Sequence, residues 1–298
     1  MPTDVLESRR AGAGPVDVPD YPFESQWRDL SEGRIHYVDE GRGGEALLFV
    51  HGTPTWSYEW RHVIRALSPR FRCVAPDHLG FGLSDRPAAA SYTPESHAAR
   101  LSAFVDELGL RDFTLVVHDF GGPIGLPLAL EPRYRVKRLV VLNSWMWSFA
   151  DDARMALGAR WMGGGLGRFL YGWANASLRL LLPSAWGDGR KLTRTIHRAY
   201  LDRFPDRESR ERVLWALARS LLASDAHYRW LWERRGQLEP KPALIVWGMK
   251  DTAFRPAQLA RWRDALPRAE VVELADAGHW PQEEAPESVA AAIEAFVR

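Results

Sequence analysis

Short apolar runs alternate along the chain with segments in which apolar residues recur every three or four positions. The runs have the length of β-strands, and the segments between them have the spacing of amphipathic helices. This alternation predicts an α/β fold with a mainly parallel sheet and helices on both faces. The predicted strands are Gly33 to Glu40, Ala46 to Val50, Phe71 to Ala75, Phe113 to Val117, Val136 to Leu142, Ala243 to Trp247 and Glu270 to Leu274.

The alternation stops between about Ser144 and Gln237, where helical spacing continues without a convincing buried strand. We interpret residues 144–237 as a helical cap, and residues 1–143 and 238–298 as the core domain. Eight of the fourteen tryptophans lie in this cap. They favour an apolar substrate cavity, although aromatic side chains also serve as ordinary packing material. Elsewhere, the stretch Thr93 to Leu108 predicts a helix capped by Thr93 with Pro94 in its first turn.

Composition narrows the class of protein. The 298 residues are 46% hydrophobic and 26% charged with a net charge of +1, which fits a soluble globular protein with an ample core. This balance implies neither a nucleic acid nor a membrane partner. Cys73 is the only cysteine, so no intramolecular disulfide forms. The stretch Met1 to Gly14 has no apolar run of the secretory type, and a cytoplasmic location is therefore expected.

The candidate chemistry begins where a strand runs directly into a glycine pair, in the segment Val116 to Gly122. Such a strand–turn–helix has the form of a nucleophile elbow, which exposes one side chain at the carboxyl end of the sheet. Asp119 occupies the nucleophile position. The alternative is that Asp119 caps the following helix by accepting from its free N–H groups.

Two distant segments favour the catalytic interpretation. Asp251 follows the strand ending at Trp247, and His279 follows the strand ending at Leu274. Ligands bind at the carboxyl ends of parallel strands, so these side chains should converge with Asp119. The chain order of nucleophile, acid and histidine is that of an α/β-hydrolase triad. Taken singly, Asp251 would more often be a turn residue and His279 a structural histidine.

A further strand end carries the segment His51 to Ser57, in which glycine and proline predict a sharp turn. The backbone N–H of Thr53 is expected to lie near the nucleophile. Together with the N–H of Phe120, the residue after the nucleophile, it is predicted to form an oxyanion hole.

These segments together resemble the haloalkane dehalogenases of the α/β-hydrolase superfamily, with the epoxide hydrolases as close relatives. The resemblance implies an eight-stranded, mostly parallel sheet with the cap inserted after the sixth strand. It also implies a small apolar organic substrate, no metal or organic cofactor, and a monomer or small homo-oligomer. Most of the chain takes part in the resemblance, through the segments Asp20 to Phe23, His36 to Gly41, His51 to Arg61, Pro76 to Asp85, the elbow, Ala199 to Asp206 and Gly248 to Asp251.

The chain departs from this family at the two positions that usually hold the leaving halide. The residue after the nucleophile is usually Trp but is Phe120 here, and Thr53 stands where the family carries Asn or Glu. Neither side chain offers the usual N–H group. Other aromatic and polar residues are therefore the candidates for the substrate and leaving-group pocket. They are Trp56, Asn143, Trp145, Trp147, Tyr200, Tyr228 and Trp280.

A carboxylate at the elbow is ionised at neutral pH and displaces a leaving group from saturated carbon without a base. The predicted reaction is hydrolysis of a haloalkane through an alkyl ester on Asp119. An epoxide hydrolase is the alternative, and it would need two cap phenols drawn from Tyr171, Tyr200 and Tyr228. An esterase would need serine in place of Asp119. A non-catalytic ligand-binding relative is the remaining alternative.

Overall fold

The computed structural model describes residues 18–298. The expectation about Met1 to Gly14 concerns residues outside this range. Eight strands form one sheet in the order β1-β2-β4-β3-β5-β6-β7-β8. The pairs β1–β2 and β2–β4 are antiparallel, and all other neighbouring strands are parallel. The strands are β1 Gln26–Leu30, β2 Gly33–Glu40, β3 Ala46–Val50, β4 Arg72–Pro76, β5 Asp112–Asp119, β6 Arg135–Ser144, β7 Ala243–Gly248 and β8 Glu270–Leu274.

All seven strands predicted from the apolar runs are present, with ends that move by no more than two residues. The eighth, β1, escaped detection because it is an edge strand whose residues are exposed or half-buried. Such a strand need not show the alternation of a buried face. The fold class, an α/β-hydrolase fold with an eight-stranded and mostly parallel sheet, is confirmed.

The helices pack on both faces of the sheet and, between β6 and β7, on one another. Short 3₁₀-helical turns at Ser57–Trp60 and Arg235–Gln237 and π-helical turns at Ser177–Leu181 and Arg210–Trp215 complete the helical structure. The α-helices are α1 Arg61–Leu67, α2 Pro94–Glu107, α3 Gly121–Leu130, α4 Ala153–Gly163, α5 Gly165–Gly172, α6 Leu182–Ser184, α7 Arg194–Leu201, α8 Arg207–Ser209, α9 Ala216–Ala223, α10 Asp225–Glu233, α11 Pro256–Ala265, α12 Pro281–Glu284 and α13 Pro286–Val297.

Helix α2 begins as predicted, with Thr93 at the N-cap position and Pro94 in the first turn. The Thr93 side chain, however, makes no capping hydrogen bond to a helix N–H. Its hydroxyl lies 3.1 Å from that of Ser96, so it is engaged with a side chain instead. Thr93 therefore occupies the cap position without capping through its side chain, which corrects that detail.

The residues between β6 and β7 contain helices and turns but no strand. This is the pattern expected for a cap, and we call residues 144–237 the cap below. Their status as a separate domain stays a prediction. Within the described part of the chain, no helix is both long and apolar enough to cross a membrane.

Candidate active site

Asp119 ends β5, and α3 begins two residues later, so the predicted strand–turn–helix is present. The backbone of Asp119 has φ +50°, a left-handed conformation that non-glycine residues rarely adopt. Gly52 lies so close that a Cβ atom there would collide with the Asp119 side chain, and a Cβ on Gly121 would collide with the Val50 carbonyl. Glycine at both positions lets the elbow turn sharply and holds the Asp119 carboxylate above the sheet.

His279 lies between the two carboxylates predicted to act with it. Its Nε2 is 3.4 Å from Oδ2 of Asp119, and its Nδ1 is 2.7 Å from Oδ2 of Asp251. All three side chains are buried. The strand ends thus bring together residues that are separated by 132 and 28 positions in the chain, since Asp119, Asp251 and His279 follow β5, β7 and β8. Their catalytic roles stay a prediction.

Asp251 is held by more than the histidine. Its Oδ1 accepts hydrogen bonds from the N–H groups of Ala253 and Phe254 at 2.7 and 3.0 Å. The amide of Asn143 donates to Oδ2 at 2.7 Å, and Asn143 Oδ1 accepts from the N–H of Gly248 at 2.8 Å. Burial acts to raise the pKa of Asp251, but His279 and these donors outweigh it and lower that pKa. Asp251 is therefore held as a carboxylate.

The loop that carries His279 is tied to the cap. The His279 N–H donates to the carbonyl of Ala185 at 2.8 Å. The buried carboxylate of Glu284 accepts from the N–H groups of Gly278, Gly187 and Asp188 at 2.7, 3.1 and 2.9 Å. Because Ala185, Gly187 and Asp188 belong to the cap, one carboxylate joins the cap to the histidine loop. Sequence reasoning did not identify this role of Glu284.

A second group of buried ionisable side chains contacts the backbone of His279 or lies close to it. His118 Nε2 is 2.8 Å from the His279 carbonyl oxygen, and His118 Nδ1 is 3.2 Å from Oε1 of Glu59. Nearby, Arg61 and Glu283 form an ion pair with both side chains fully buried. None of these residues gave a sequence signal, because single polar residues in apolar runs do not reveal their partners.

The N–H of Thr53 donates to Oδ1 of Asp119 at 2.8 Å. Phe120 is the N-cap residue of α3, so its N–H has no acceptor within that helix. Both backbone groups therefore flank the nucleophile position. The proposed oxyanion role of Thr53 and Phe120 is compatible with this geometry and stays a prediction.

The Asp119 carboxylate faces a cavity of about 310 Å³ between the core and the cap. Thr53, Asp119, Phe120, Trp145, His279 and Trp280 form part of its wall. The rest of the wall is mainly apolar, and much of it comes from the cap. A compact cavity of this kind suits a small apolar molecule.

Five of the seven predicted pocket residues do not line this cavity, which corrects that part of the prediction. Trp145 and Trp280 do. Asn143 is committed to Asp251, and the Tyr200 hydroxyl donates to Glu283. Trp56 stacks on Tyr58 with ring centres 5.4 Å apart, Trp147 packs against Trp262 at 5.6 Å, and Tyr228 lies behind Trp145 at 6.0 Å.

The cavity wall includes residues that were not predicted, among them Phe149, Met155, Met162, Tyr171 and Phe254. Tyr171 was noted only as an available phenol, and the two methionines lie in a helical pattern that any cap helix could show. Phe254 follows Asp251 by three residues, and its ring is 5.4 Å from that of His279. Proximity to the acid in sequence was the one signal that could have identified it.

The pKa of His279 reflects its two neighbours. Burial acts to lower this pKa, but the carboxylates of Asp251 and Asp119 raise it to about 10. The two carboxylates therefore favour the protonated form of the imidazole. Conversion of Asp119 to a neutral ester would remove one of the two charges that favour the imidazolium, so the pKa of His279 would fall and more of the neutral imidazole, the form that accepts a proton, would be present.

We expect the pKa of His279 to fall by about one to three pH units in Asp119→Asn, because that variant removes the same charge without changing the side-chain shape. The titration of the imidazole resonances by nuclear magnetic resonance measures this directly. Asp112→Asn is the matched control, since Asp112 is exposed at the far end of β5. A titration midpoint equal to that of the wild type would contradict the assignment of Asp119 as a source of the shift.

No cluster of three or more histidine, cysteine or acidic side chains within residues 18–298 is arranged to hold a metal ion. The expectation that the reaction needs no metal or organic cofactor stays a prediction. The three groups at hand are two carboxylates and an imidazole. Such a set supports nucleophilic attack followed by base-assisted hydrolysis.

Comparisons with known proteins agree on the family. A family model described as alpha/beta hydrolase fold matches residues 45–286. Haloalkane dehalogenase 2 of Mycobacterium tuberculosis is 41% identical over 274 residues, covering 92% of this chain and 94% of the relative. A cis-3-alkyl-4-alkyloxetan-2-one decarboxylase of Xanthomonas campestris is 35% identical, covering 94% of this chain and 97% of that protein. Among solved structures, haloalkane dehalogenase DbeA from Bradyrhizobium elkani is 27% identical with a TM-score of 0.81, covering 92% of this chain and 97% of that one.

Proposed function

The chain belongs to the haloalkane dehalogenase family of α/β-hydrolases, and from this membership we propose that it hydrolyses small haloalkanes with Asp119 as the nucleophile. The observation that carries the proposal is the position of Asp119. Its carboxylate lies in a strained elbow, faces an apolar cavity and is within 3.4 Å of a histidine. A carboxylate so placed attacks saturated carbon directly.

The two Asp119 oxygens have different surroundings, which assigns the attacking atom. Oδ1 accepts the N–H of Thr53, whereas Oδ2 faces His279. We assign Oδ2 as the atom that bonds to the substrate carbon while the carbon–halogen bond breaks and the halide leaves with its electron pair. Oδ1 then becomes the ester carbonyl oxygen, already next to the backbone donor that would stabilise an oxyanion.

Hydrolysis of the ester completes the cycle. His279 removes a proton from water, and the resulting hydroxide adds to the ester carbonyl carbon. Asp251 keeps the imidazole oriented through the 2.7 Å contact at Nδ1. The tetrahedral intermediate collapses by breaking the bond between the carbonyl carbon and the alkoxide oxygen. The products are an alcohol, a halide and a proton, and the Asp119 carboxylate is restored.

A leaving halide needs N–H donors in a dry site, and Thr53 and Phe120 do not offer them through their side chains. Two indoles are available instead. Trp145 and Trp280 both line the cavity, and the Nε1 atom of each is buried with no hydrogen-bond partner among the described residues. Trp145 also packs edge-on against Phe120, with ring centres 4.7 Å apart. This arrangement favours Trp145 as the replacement for the usual donor after the nucleophile.

An epoxide hydrolase is less well supported. It would need two phenols on the cavity wall, and of Tyr171, Tyr200 and Tyr228 only Tyr171 lines the cavity. The Tyr200 hydroxyl is already engaged by Glu283.

The second candidate is decarboxylation of an oxetan-2-one, the reaction named for the Xanthomonas relative. The absence of side-chain N–H groups at Thr53 and Phe120 favours it, because no halide leaves in this reaction. Asp119 would attack the saturated ring carbon bonded to the ring oxygen, and cleavage of that carbon–oxygen bond would open the ring to a carboxylate. Loss of carbon dioxide would then expel Asp119 and leave an alkene, so that water is not consumed.

The deciding experiment offers the purified enzyme bromoalkanes, chloroalkanes, terminal epoxides and a cis-3,4-dialkyloxetan-2-one. We expect halide release, faster from bromoalkanes than from chloroalkanes because bromide is the better leaving group. Ion chromatography detects the halide, and gas chromatography detects diol or alkene. Heat-unfolded enzyme is the control. Alkene formation from the oxetanone without halide release from any haloalkane would overturn the proposal in favour of the second candidate.

A further inference from the structure

Among the described residues, the large apolar side chains that are exposed all lie in one part of the cap. All eight large hydrophobic residues that are exposed among the described residues lie between positions 157 and 181. Six of them are between 54 and 62% exposed, although large apolar side chains usually find cover. We call these six the cap patch. They are Leu157, Trp161, Leu166, Phe169, Trp173 and Leu180.

The helical spacing places five of the six patch residues on the outer faces of two neighbouring helices. Leu157 and Trp161 lie four residues apart on one face of α4. Leu166, Phe169 and Trp173 follow the same spacing along α5 and its C-cap, and the rings of Phe169 and Trp173 lie 6.5 Å apart. Because α4 and α5 pack against each other, their exposed faces adjoin.

The chain segment that carries the patch contains charged residues of one sign only. No acidic residue occurs between positions 153 and 187, whereas Arg154, Arg160, Arg168 and Arg179 lie there and are all exposed. Arg168 pairs with Glu211 at 2.9 Å. Within residues 18–298 the other three form no ion pair. Exposed Trp, Phe and Leu side chains bordered by arginine are the composition of a surface that lies on anionic lipid.

We propose that the cap patch docks this enzyme on the surface of a membrane containing anionic phospholipids. A second copy of the chain fits the patch less well. A twofold interface would bring two copies of this arginine-bearing segment together, and residues 153–187 contain no carboxylate to neutralise the arginines. Phospholipid headgroups supply the missing negative charge, and the acyl region accepts the apolar side chains. The net charge of +1 had implied no membrane partner. That value averages over the whole chain and does not reveal the local excess of arginine in the segment that carries the cap patch.

The cavity wall reaches the protein surface in the cap segment next to Leu180 of the cap patch, and also at Thr252 and Ala253 of the core. Leu181 and Ser184 are exposed and line the cavity as well. Helices α4 and α5 line the cavity through Met155, Met162 and Tyr171 while they expose the patch outward. Docking would therefore bring the Leu181 side of the cavity wall close to a substrate dissolved in the lipid. This delivery step rests on the proposed function, whereas the docking does not.

Sedimentation with lipid vesicles tests the docking. The full-length enzyme is mixed with vesicles of phosphatidylcholine, with or without phosphatidylglycerol, and the bound fraction is measured. We expect binding to the mixed vesicles that weakens as salt rises, because charge attraction is screened. Failure of the wild type to bind the mixed vesicles would overturn the proposal. So would a dimer in analytical ultracentrifugation that Trp161→Asp dissociates.

Matched variants separate the patch from the rest of the surface. We expect Arg154→Glu combined with Arg179→Glu to weaken vesicle binding by at least about 30-fold. Arg28→Glu combined with Arg268→Glu changes the net charge equally on exposed core residues, and it should bind at least ten times more tightly than the cap pair. Trp161→Asp combined with Phe169→Asp should weaken binding by at least about tenfold. Equal binding by the core and cap charge pairs would overturn the proposal.

Activity assays keep the two proposals distinguishable. The arginine pair variant and the Trp161 and Phe169 pair variant should hydrolyse a short, water-soluble bromoalkane at the wild-type rate. None of the substituted residues lines the cavity. Their rate on a long-chain bromoalkane presented in anionic vesicles should fall in proportion to the lost binding. Asp119→Ala should bind vesicles like the wild type. Vesicle binding without any haloalkane turnover would overturn the proposed function and leave the docking intact.

Discussion

The His279→Phe variant should release one equivalent of halide and then stop, with an alkyl ester left on Asp119. The first step needs only the Asp119 carboxylate and the leaving-group donors, and phenylalanine preserves the bulk of the buried ring. The second step needs a base for water, and without it steady-state turnover should fall by about 10⁴-fold. Intact-protein mass spectrometry would show the added alkyl mass, and peptide mapping would place it on Asp119.

His97→Phe is the matched control. His97 is also buried, and neither of its ring nitrogens has a hydrogen-bond partner among the described residues. The His97 ring packs against His78 and does not face the cavity. Turnover by His97→Phe should therefore stay close to that of the wild type. Multiple turnovers by His279→Phe at near wild-type rate, with no ester detected, would rule out the assigned division of labour.

Removal of the nucleophile should have a larger effect still. In Asp119→Ala we expect turnover to fall on the order of 10⁶-fold and the halide burst to disappear as well. The halide burst distinguishes this variant from His279→Phe, because only His279→Phe retains the carboxylate that attacks carbon. Alanine at φ +50° also costs about 1–2 kcal/mol of backbone strain, so the free energy of unfolding should be measured beside the rate.

Asp119→Asn removes the nucleophile without that added strain, because asparagine tolerates a positive φ better than alanine does. It should lose the burst equally while it stays closer to the wild type in urea denaturation. Halide release by Asp119→Ala at a tenth of the wild-type rate or more would assign the chemistry to another group.

The elements that sequence patterns predicted well are those whose environment is set locally. A parallel strand buried on both faces is a continuous apolar run, so β3, β5, β6 and β7 were visible as such. The edge strand β1 has no buried face and was not visible. One topological rule predicted that Asp119, Asp251 and His279 lie close together. The rule is that parallel strands end at the same edge of the sheet.

The pocket was harder to predict because the cap has no comparable rule. Helical spacing indicates that Trp145 and Trp147 both lie near the start of the cap. It does not indicate that Trp147 turns toward Trp262 while Trp145 turns toward Phe120. Asn143 shows the same limit, since its amide is consumed by Asp251 and Gly248 and not by a substrate. Such choices depend on contacts between residues distant in sequence.

The Glu284 carboxylate has a consequence for how substrates enter and products leave. It holds Gly278 beside the base and Gly187 and Asp188 in the cap at once, and the His279 N–H adds a bond to Ala185. Lifting residues 185–188 would therefore break three hydrogen bonds, one of them made by the backbone of His279 itself. A movement of the cap that keeps these bonds would leave residues 185–188 in place, and the imidazole would stay beside Asp119 while other parts of the cap move.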